Sequence, residues 1–318
     1  MNTVLGKKSK VFSVFNQLGV WIVVVVLFAI LAVISPQFLL KDNLVNLIRQ
    51  ISVTGIVALG ATFIILAGEI DLSSGNMLAL MGCACATLMV SLNVPVLLAI
   101  LISIVIGCVI GLLVGVTVTK LNVPSFIATL GIQYVLQGAV LLLTGSRPVT
   151  NLPESFLVLG RGYVFGIPVS TVFMILLFLA GAAVLKFSKF GRDVLAVGEN
   201  PTAAHLSGIR VDRVKILVFV IGFALSAFGG TVLASRLSSG QPTSGVDVTL
   251  EALAAVYIGG STKGSIMTTM AGALIIGMIS NGLNLLEVSS YWQKVALGVI
   301  IVFAVAMDMF RSRKSEKK

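Results

Sequence analysis

The chain has 318 residues, of which 57% are hydrophobic and only 11% are charged, with a net charge of +10. A water-soluble domain carries roughly 25% charged residues, so this composition excludes a soluble enzyme or a soluble binding protein and predicts an integral membrane protein. The apolar runs are continuous over about 20 residues, whereas the strands of an outer-membrane barrel alternate apolar and polar residues. The expected fold class is therefore all-α.

The positive charge is concentrated in three places: residues 7–10, residues 186–215 and residues 311–318. Basic residues in short segments beside apolar runs mark the cytoplasmic side of a membrane protein. This placement explains the net charge without a nucleic-acid partner, and none is expected.

Ten apolar runs follow one another along the chain. They are 18–35, 51–68, 75–91, 95–119, 125–144, 168–187, 214–234, 250–260, 264–286 and 290–309. If the basic N-terminus is cytoplasmic, ten crossings return the basic C-terminus to the cytoplasm and place residues 186–215 on the same side. The sequence therefore predicts about ten membrane-embedded helices, with both termini cytoplasmic and the 145–168 loop outside.

The run 250–260 is too short to cross a hydrocarbon core of about 30 Å at about 1.5 Å per residue. We expect either a half-helix or a tilted element, joined to its neighbour through residues 259–264. Broken helices are tolerated in a membrane only where protein or a cavity surrounds them. This feature favours a transport pathway over a simple anchor.

A short sequence match indicates an internal repeat. Leu72-Ser73-Ser74-Gly75 recurs as Leu237-Ser238-Ser239-Gly240, and each copy follows an apolar run. With the topology above, the two copies face opposite sides of the membrane, as in an inverted repeat. A chance match of four residues remains an equally good explanation.

Two carboxylates interrupt the long apolar stretch at Gly68-Glu69-Ile70-Asp71-Leu72-Ser73-Ser74-Gly75. In one interpretation, Asp71 and Ser73 cap a helix that starts near Gly75, where a carboxylate also suits the positive end of the helix dipole. In the other, Asp71 faces a transport pathway and accepts hydrogen bonds from sugar hydroxyls. Both interpretations remain open at this point.

A short helix is predicted within the basic loop. Asn200 suits the N-cap, Pro201 suits the first helical position, and Gly208 suits the left-handed stop. Its apolar residues could enter a groove of another protein, although a plain connecting turn would show the same spacing. These apolar residues are Ala203, Ala204 and Leu206.

Several of these segments resemble the permease subunits of ribose-type ATP-binding-cassette sugar importers. Gly68–Gly75 matches the family signature G-x-I-D-L-S-x-G, and Phe190–Pro201 with Leu206–Ile209 is similar to the cytoplasmic coupling loop of that family. Arg236–Thr243 and Asn281–Tyr291 look like its outer loops. The resemblance covers nearly the whole chain, although Glu69 stands where many relatives have a small residue.

The resemblance implies a single permease domain, 1–318, that imports ribose or a related monosaccharide across the bacterial cytoplasmic membrane. It implies three protein partners besides the surrounding lipid: an ATPase subunit, an extracytoplasmic sugar-binding protein and a second permease copy. The coupling loop would span 186–215, with Asn200–Gly208 docking to the ATPase. The implied pathway residues are Asp71, Ser73, Ser74, Arg236 and Gln241. No G-x-x-x-x-G-K-[ST] phosphate loop occurs in the sequence, so no cofactor is expected in this chain and a partner must hydrolyse ATP.

Two other functions remain as alternatives. A proton-coupled secondary transporter could use Glu69 or Asp71 as its proton carrier. An intramembrane enzyme would need a nucleophile beside a base, yet the only histidine, His205, lies in the basic loop. The three cysteines lie in apolar runs without a metal-ligand spacing, so no metal site is expected.

Overall fold

The computed structural model describes residues 2–260 and 265–316. Within these ranges the chain forms thirteen α-helices, one 3-10 turn and one small β-hairpin. The first half comprises α1 Asn2–Ile34, the 3-10 turn Pro36–Leu39, α2 Lys41–Leu66, α3 Ser74–Ser91, α4 Val96–Lys120 and α5 Ser125–Thr144. The middle comprises α6 Glu154–Arg161, β1 Tyr163–Val164, β2 Ile167–Pro168, α7 Val169–Phe187, α8 Lys189–Glu199 and α9 Pro201–Leu206. The last part comprises α10 Val211–Leu237, α11 Val248–Ile258, α12 Ile266–Leu285 and α13 Ser290–Glu316.

Among the described residues, seven helices are long and apolar enough to cross a membrane: α2, α3, α4, α5, α7, α10 and α12. Three shorter apolar segments accompany them, at Leu18–Ile34, Val248–Ile258 and Ser290–Ala306. The prediction of an all-α protein that crosses the membrane many times is confirmed. The count of about ten embedded segments stays a prediction.

Helix α10 occupies the centre of the bundle and packs against α2, α3 and α4. Its crossing with α2 is close, because a Cβ atom on Gly60 would lie 3.0 Å from the Cα atom of Gly222. Small residues allow membrane helices to approach in this way. Bulky side chains, including Phe219 and Phe223, fill the core around this crossing.

The two ends of the bundle differ. One end carries α8, α9 and the 121–124 turn, which a Lys120–Asp212 ion pair of 2.5 Å joins to the start of α10; we call it the basic end. The other end carries α6 and the β-hairpin, and we call it the hairpin end. There the hydroxyl of Ser235 accepts from the Gly160 N–H and donates to the Phe156 carbonyl. The 145–168 loop is partly helical, because it contains α6.

Helix directions bring the start of α1 and the end of α13 to the basic end. Val20 clusters with Ala271 and Ile275, and Gly282 packs against Leu31, so α1 runs parallel to α12 toward the hairpin end. Helix α13 begins beside Asp247 through Lys294 and runs back beside α11. The start of α1 and the end of α13 therefore lie at the same end of the bundle as α8 and α9.

Helix α11 confirms the predicted half-helix. It has 11 residues, fewer than the roughly 20 residues that a helix needs to cross the hydrocarbon core. The predicted connection through residues 259–264 falls partly on 261–264, which lie outside the described residues. The Leu-Ser-Ser-Gly match is not a structural repeat, because Leu72–Gly75 opens α3 whereas Leu237–Gly240 closes α10. Its two copies occupy different positions relative to their helices.

Candidate functional site: the helix break and the loop beneath it

The chain between α2 and α3 starts at the basic end of the bundle. The last turn of α2 touches α8, where a Cβ atom on Gly198 would collide with the Leu66 carbonyl oxygen. Glu69 follows and forms an ion pair with Lys215 of α10, with 2.5 Å between Oε1 and Nζ. Glu69 is buried and Lys215 is partly buried. We call the chain between α2 and α3 the break. It is therefore held at the basic end by contacts with α8 and with α10.

The chain then re-enters the bundle, and its backbone groups find partners on α5. The Ile70 N–H donates to the hydroxyl of Ser125 at 3.2 Å, and the Leu72 N–H donates to the hydroxyl of Thr129 at 3.2 Å. An unpaired backbone group inside a membrane would cost several kcal/mol. The two hydroxyls on the first turns of α5 therefore satisfy backbone N–H groups of the irregular segment and remove this free-energy cost.

Asp71 lies two residues before Ser73, the N-cap residue of α3, and bonds to that residue instead of capping the helix itself. Its Oδ1 accepts from the Ser73 N–H at 2.8 Å and from the Ser73 hydroxyl at 2.6 Å. The side chain exposes only 3% of its surface. Ser73 itself, predicted as a second cap, donates to Asp71 and makes no side-chain cap to the helix. In a single chain Asp71 thus faces protein and not an open path.

The start of α3 lies well inside the bundle. Asn76 donates to the carbonyl of Gln133, which lies more than two helical turns beyond the start of α5. The first turn of α11 lies at the same place, because the Gly75 N–H donates to the Thr249 hydroxyl at 2.7 Å. Only glycine fits there, since a Cβ atom on residue 75 would collide with the Gly245 carbonyl oxygen.

The predicted short helix of the basic loop is confirmed as α9, Pro201–Leu206. Asn200 caps it by accepting the Ala203 N–H at 2.9 Å, and Gly208 ends it with φ +81°. Ala204 is buried against the bundle, whereas Leu206 exposes 83% of its surface. The helix therefore presents one large apolar side chain outward while its other face is anchored.

The predicted pathway residues do not form one cluster. Ser74 is buried beside Thr249, and Asp71 follows Glu69 closely in the same break. Arg236 lies in the last turn of α10, whereas Lys215, which holds the break, lies near the start of that long helix. Gln241 lies on the segment that follows Arg236, and its side-chain amide donates to Ser239. The five residues thus belong to two separate regions, one toward each end of α10.

The structure adds functional candidates that the sequence analysis missed: Thr54, Lys215, Thr249 and Glu251. Glu251 accepts a hydrogen bond from the Thr54 hydroxyl at 3.0 Å, which joins α11 to the middle of α2. Glu251 could have been found, because it is the only charged residue in the short apolar run 248–260. The pairing of Thr249 with Gly75 could not, since the two are far apart in the sequence.

Comparisons with known proteins place the chain in a transport family. The family described as "Branched-chain amino acid transport system / permease component" matches residues 43–305. The ribose import permease protein RbsC of Haemophilus influenzae is 43% identical over 302 residues, covering 92% of this chain and 93% of that protein. The protein of the same name from Bacillus subtilis is 43% identical over 306 residues, covering 94% and 95%.

A more distant relative bears a different sugar in its name. The L-arabinose transport system permease protein AraH of Escherichia coli is 34% identical over 304 residues, covering 94% of this chain and 92% of that protein. No solved structure matches the chain. These relatives are transport permeases and not enzymes. The chain therefore belongs to the family of branched-chain amino acid transport system permease components and is a multi-pass membrane protein.

Proposed function

We propose that the chain is the permease subunit of an ATP-driven importer for ribose or a related monosaccharide in a bacterial cytoplasmic membrane. The relatives' names supply the sugar class. The observation that carries the rest is the capped helix α9, which exposes Leu206 at the basic end while its other face packs against α8 and α10.

The partners follow from this assignment. An ATPase subunit binds α9 at the basic end, a sugar-binding protein docks at the hairpin end, and a second permease copy completes the pathway within the lipid. The chain needs no cofactor, because ATP is hydrolysed by the partner. A proton-coupled transporter is not favoured, since Glu69 is already engaged by Lys215 and the relatives are importer permeases.

We infer ten embedded segments in an inverted repeat, in which α2 to α5 correspond to α10 to α13. Both halves show the same order of a long helix, a break, an inner helix and two further helices. At the breaks, Ile70-Asp71-Leu72-Ser73 corresponds to Val246-Asp247-Val248-Thr249, an apolar–Asp–apolar–hydroxyl pattern. The basic end is cytoplasmic, in keeping with the positive-inside rule.

The orientation can be tested by labelling. We expect Ser315→Cys, in the basic C-terminal segment, to resist an impermeant thiol reagent applied to intact cells and to react after lysis. Ser146→Cys, exposed at the hairpin end, is the matched control and reacts in intact cells. Labelling of Ser315→Cys from outside would contradict the orientation.

The docking role of α9 predicts a coupling defect. Leu206→Asp should reduce sugar uptake at least about tenfold. Placing a charge in an apolar groove of the ATPase would weaken binding by more than the ~1.4 kcal/mol that corresponds to a factor of ten. The protein should still reach the membrane, since the side chain is exposed. Phe165→Asp, a fully exposed aromatic residue at the hairpin end, serves as control in an ATPase-subunit pull-down. Equal pull-down by both variants would show that α9 is only a connector.

We infer that Asp71 holds the turn before α3 through its two hydrogen bonds from Ser73, and this role predicts different results for two substitutions. Asp71→Asn should keep most uptake, because an amide oxygen can accept the same hydrogen bonds. Asp71→Ala should lose about 1 kcal/mol of stability, measured as a lower Tm in detergent, whereas the exposed Asp42→Ala should change little. A normal Tm with no uptake in Asp71→Asn would place the charge in the pathway instead.

A further inference from the structure

A half-open cavity of about 120 Å³ lies between α11, α12 and α13. It is separate from the Asp71 break. Its polar lining residues are Asp247, Glu251, Ser280, Ser290, Gln293 and Lys294. Its apolar lining comes from α12 and α13 and includes Ile279 and Leu283.

Glu251 lies in the first turn of α11, one turn after Asp247, and its side chain is partly buried. It accepts from Thr54, near the start of the apolar part of α2, so the carboxylate lies inside the bundle toward the hairpin end. Thr54 occupies Oε2, and among the described residues the structure gives Oε1 no hydrogen-bond partner. A carboxylate inside a membrane protein is costly unless it faces protein or a water-filled cavity. Oε1 is therefore available to whatever enters the cavity.

The other charges of the cavity lie toward the hairpin end. Lys294 Nζ is 3.5 Å from Asp247 Oδ2, and both side chains are well exposed. With Glu251 the three groups carry a formal net charge of −1, which does not favour an anionic ligand. They also provide carboxylate acceptors and an ammonium donor beside an apolar wall, which suits the hydroxyls and the C–H face of a sugar.

We propose that this cavity is a subsite for a free monosaccharide on its way through the permease, with Glu251 and Asp247 accepting from sugar hydroxyls and Lys294 donating to one. The inference rests on the proposed function and specifies where its substrate is held. It assigns the cavity to uncharged sugars and excludes phosphorylated ones.

The test measures protection of a thiol in the cavity. In a transport-competent chain whose native cysteines are replaced, Ser280→Cys is modified by methyl methanethiosulfonate with and without D-ribose. We expect ribose to slow the modification and D-ribose 5-phosphate to leave the rate unchanged. Ser289→Cys, which is exposed at the hairpin end but does not line the cavity, should react equally fast in all three conditions.

Glu251→Gln in the same background should raise the ribose concentration for half-protection about tenfold, the loss expected for one hydrogen bond to a charged group. Glu287→Gln, an exposed carboxylate at the same end, should leave that concentration unchanged. Equal modification of Ser280→Cys with and without ribose would overturn the subsite, as would undiminished protection in Glu251→Gln. If the unsubstituted chain still supports ATP-driven uptake, only the subsite fails, whereas loss of that uptake would remove the proposed function itself.

Discussion

Backbone groups that leave a helix inside a membrane must find hydrogen-bond partners within the protein, and the rest of this structure depends on how two breaks meet that constraint. The α2–α3 break takes its partners from Ser125 and Thr129 of α5 and from its own Asp71. The second break lies between α10 and α11 and includes Gly245, which packs against Gly75. Thr249, in the first turn of α11, accepts a hydrogen bond from the Gly75 N–H. This hydrogen bond and the close approach of Gly75 to Gly245 join the first turns of α3 and α11 in the bundle interior.

This arrangement joins the basic end to the bundle interior through a few direct contacts. Helix α8 touches the end of α2 at Gly198, and the Glu69–Lys215 ion pair fastens the break to α10. A protein that binds α9 therefore contacts a helix that packs against α8 and α10, and these two helices hold the break. Breaking a buried ion pair by removing one partner costs several kcal/mol, so this pair stabilises the contact between the break and α10.

Local chemistry made part of the structure predictable from the sequence. The cap at Asn200 and the stop at Gly208 depend on neighbouring residues, and α9 follows from them. The apolar run 250–260 is too short to cross a membrane, and this was enough to predict a short helix at α11. The sequence analysis did not predict the amphipathic helix α8 or the short helix α6. Both lie in segments that it treated as loops, where polar residues obscure the helical spacing of the apolar ones. The Leu-Ser-Ser-Gly match misled because four small or common residues recur without sharing a position.

The contacts that make the site could not be predicted, since they join distant parts of the chain. Thr54 with Glu251, Gly75 with Thr249, and Glu69 with Lys215 become neighbours only once α2, α3, α10 and α11 are packed. The carboxylates themselves were conspicuous in an apolar sequence, but their partners decide their roles. Asp71 serves the backbone next to it, whereas Glu251, which the local pattern did not single out, faces a cavity.

The central claim is that this chain moves sugar only when an ATPase acts on its basic end. The most direct measurement is uptake of labelled D-ribose by vesicles that contain the purified chain, either alone with an imposed proton gradient or together with its ATPase subunit, its binding protein and ATP. The account predicts no accumulation in the first case and ATP-dependent accumulation in the second. Ribose accumulation driven by the proton gradient through the chain alone would contradict it.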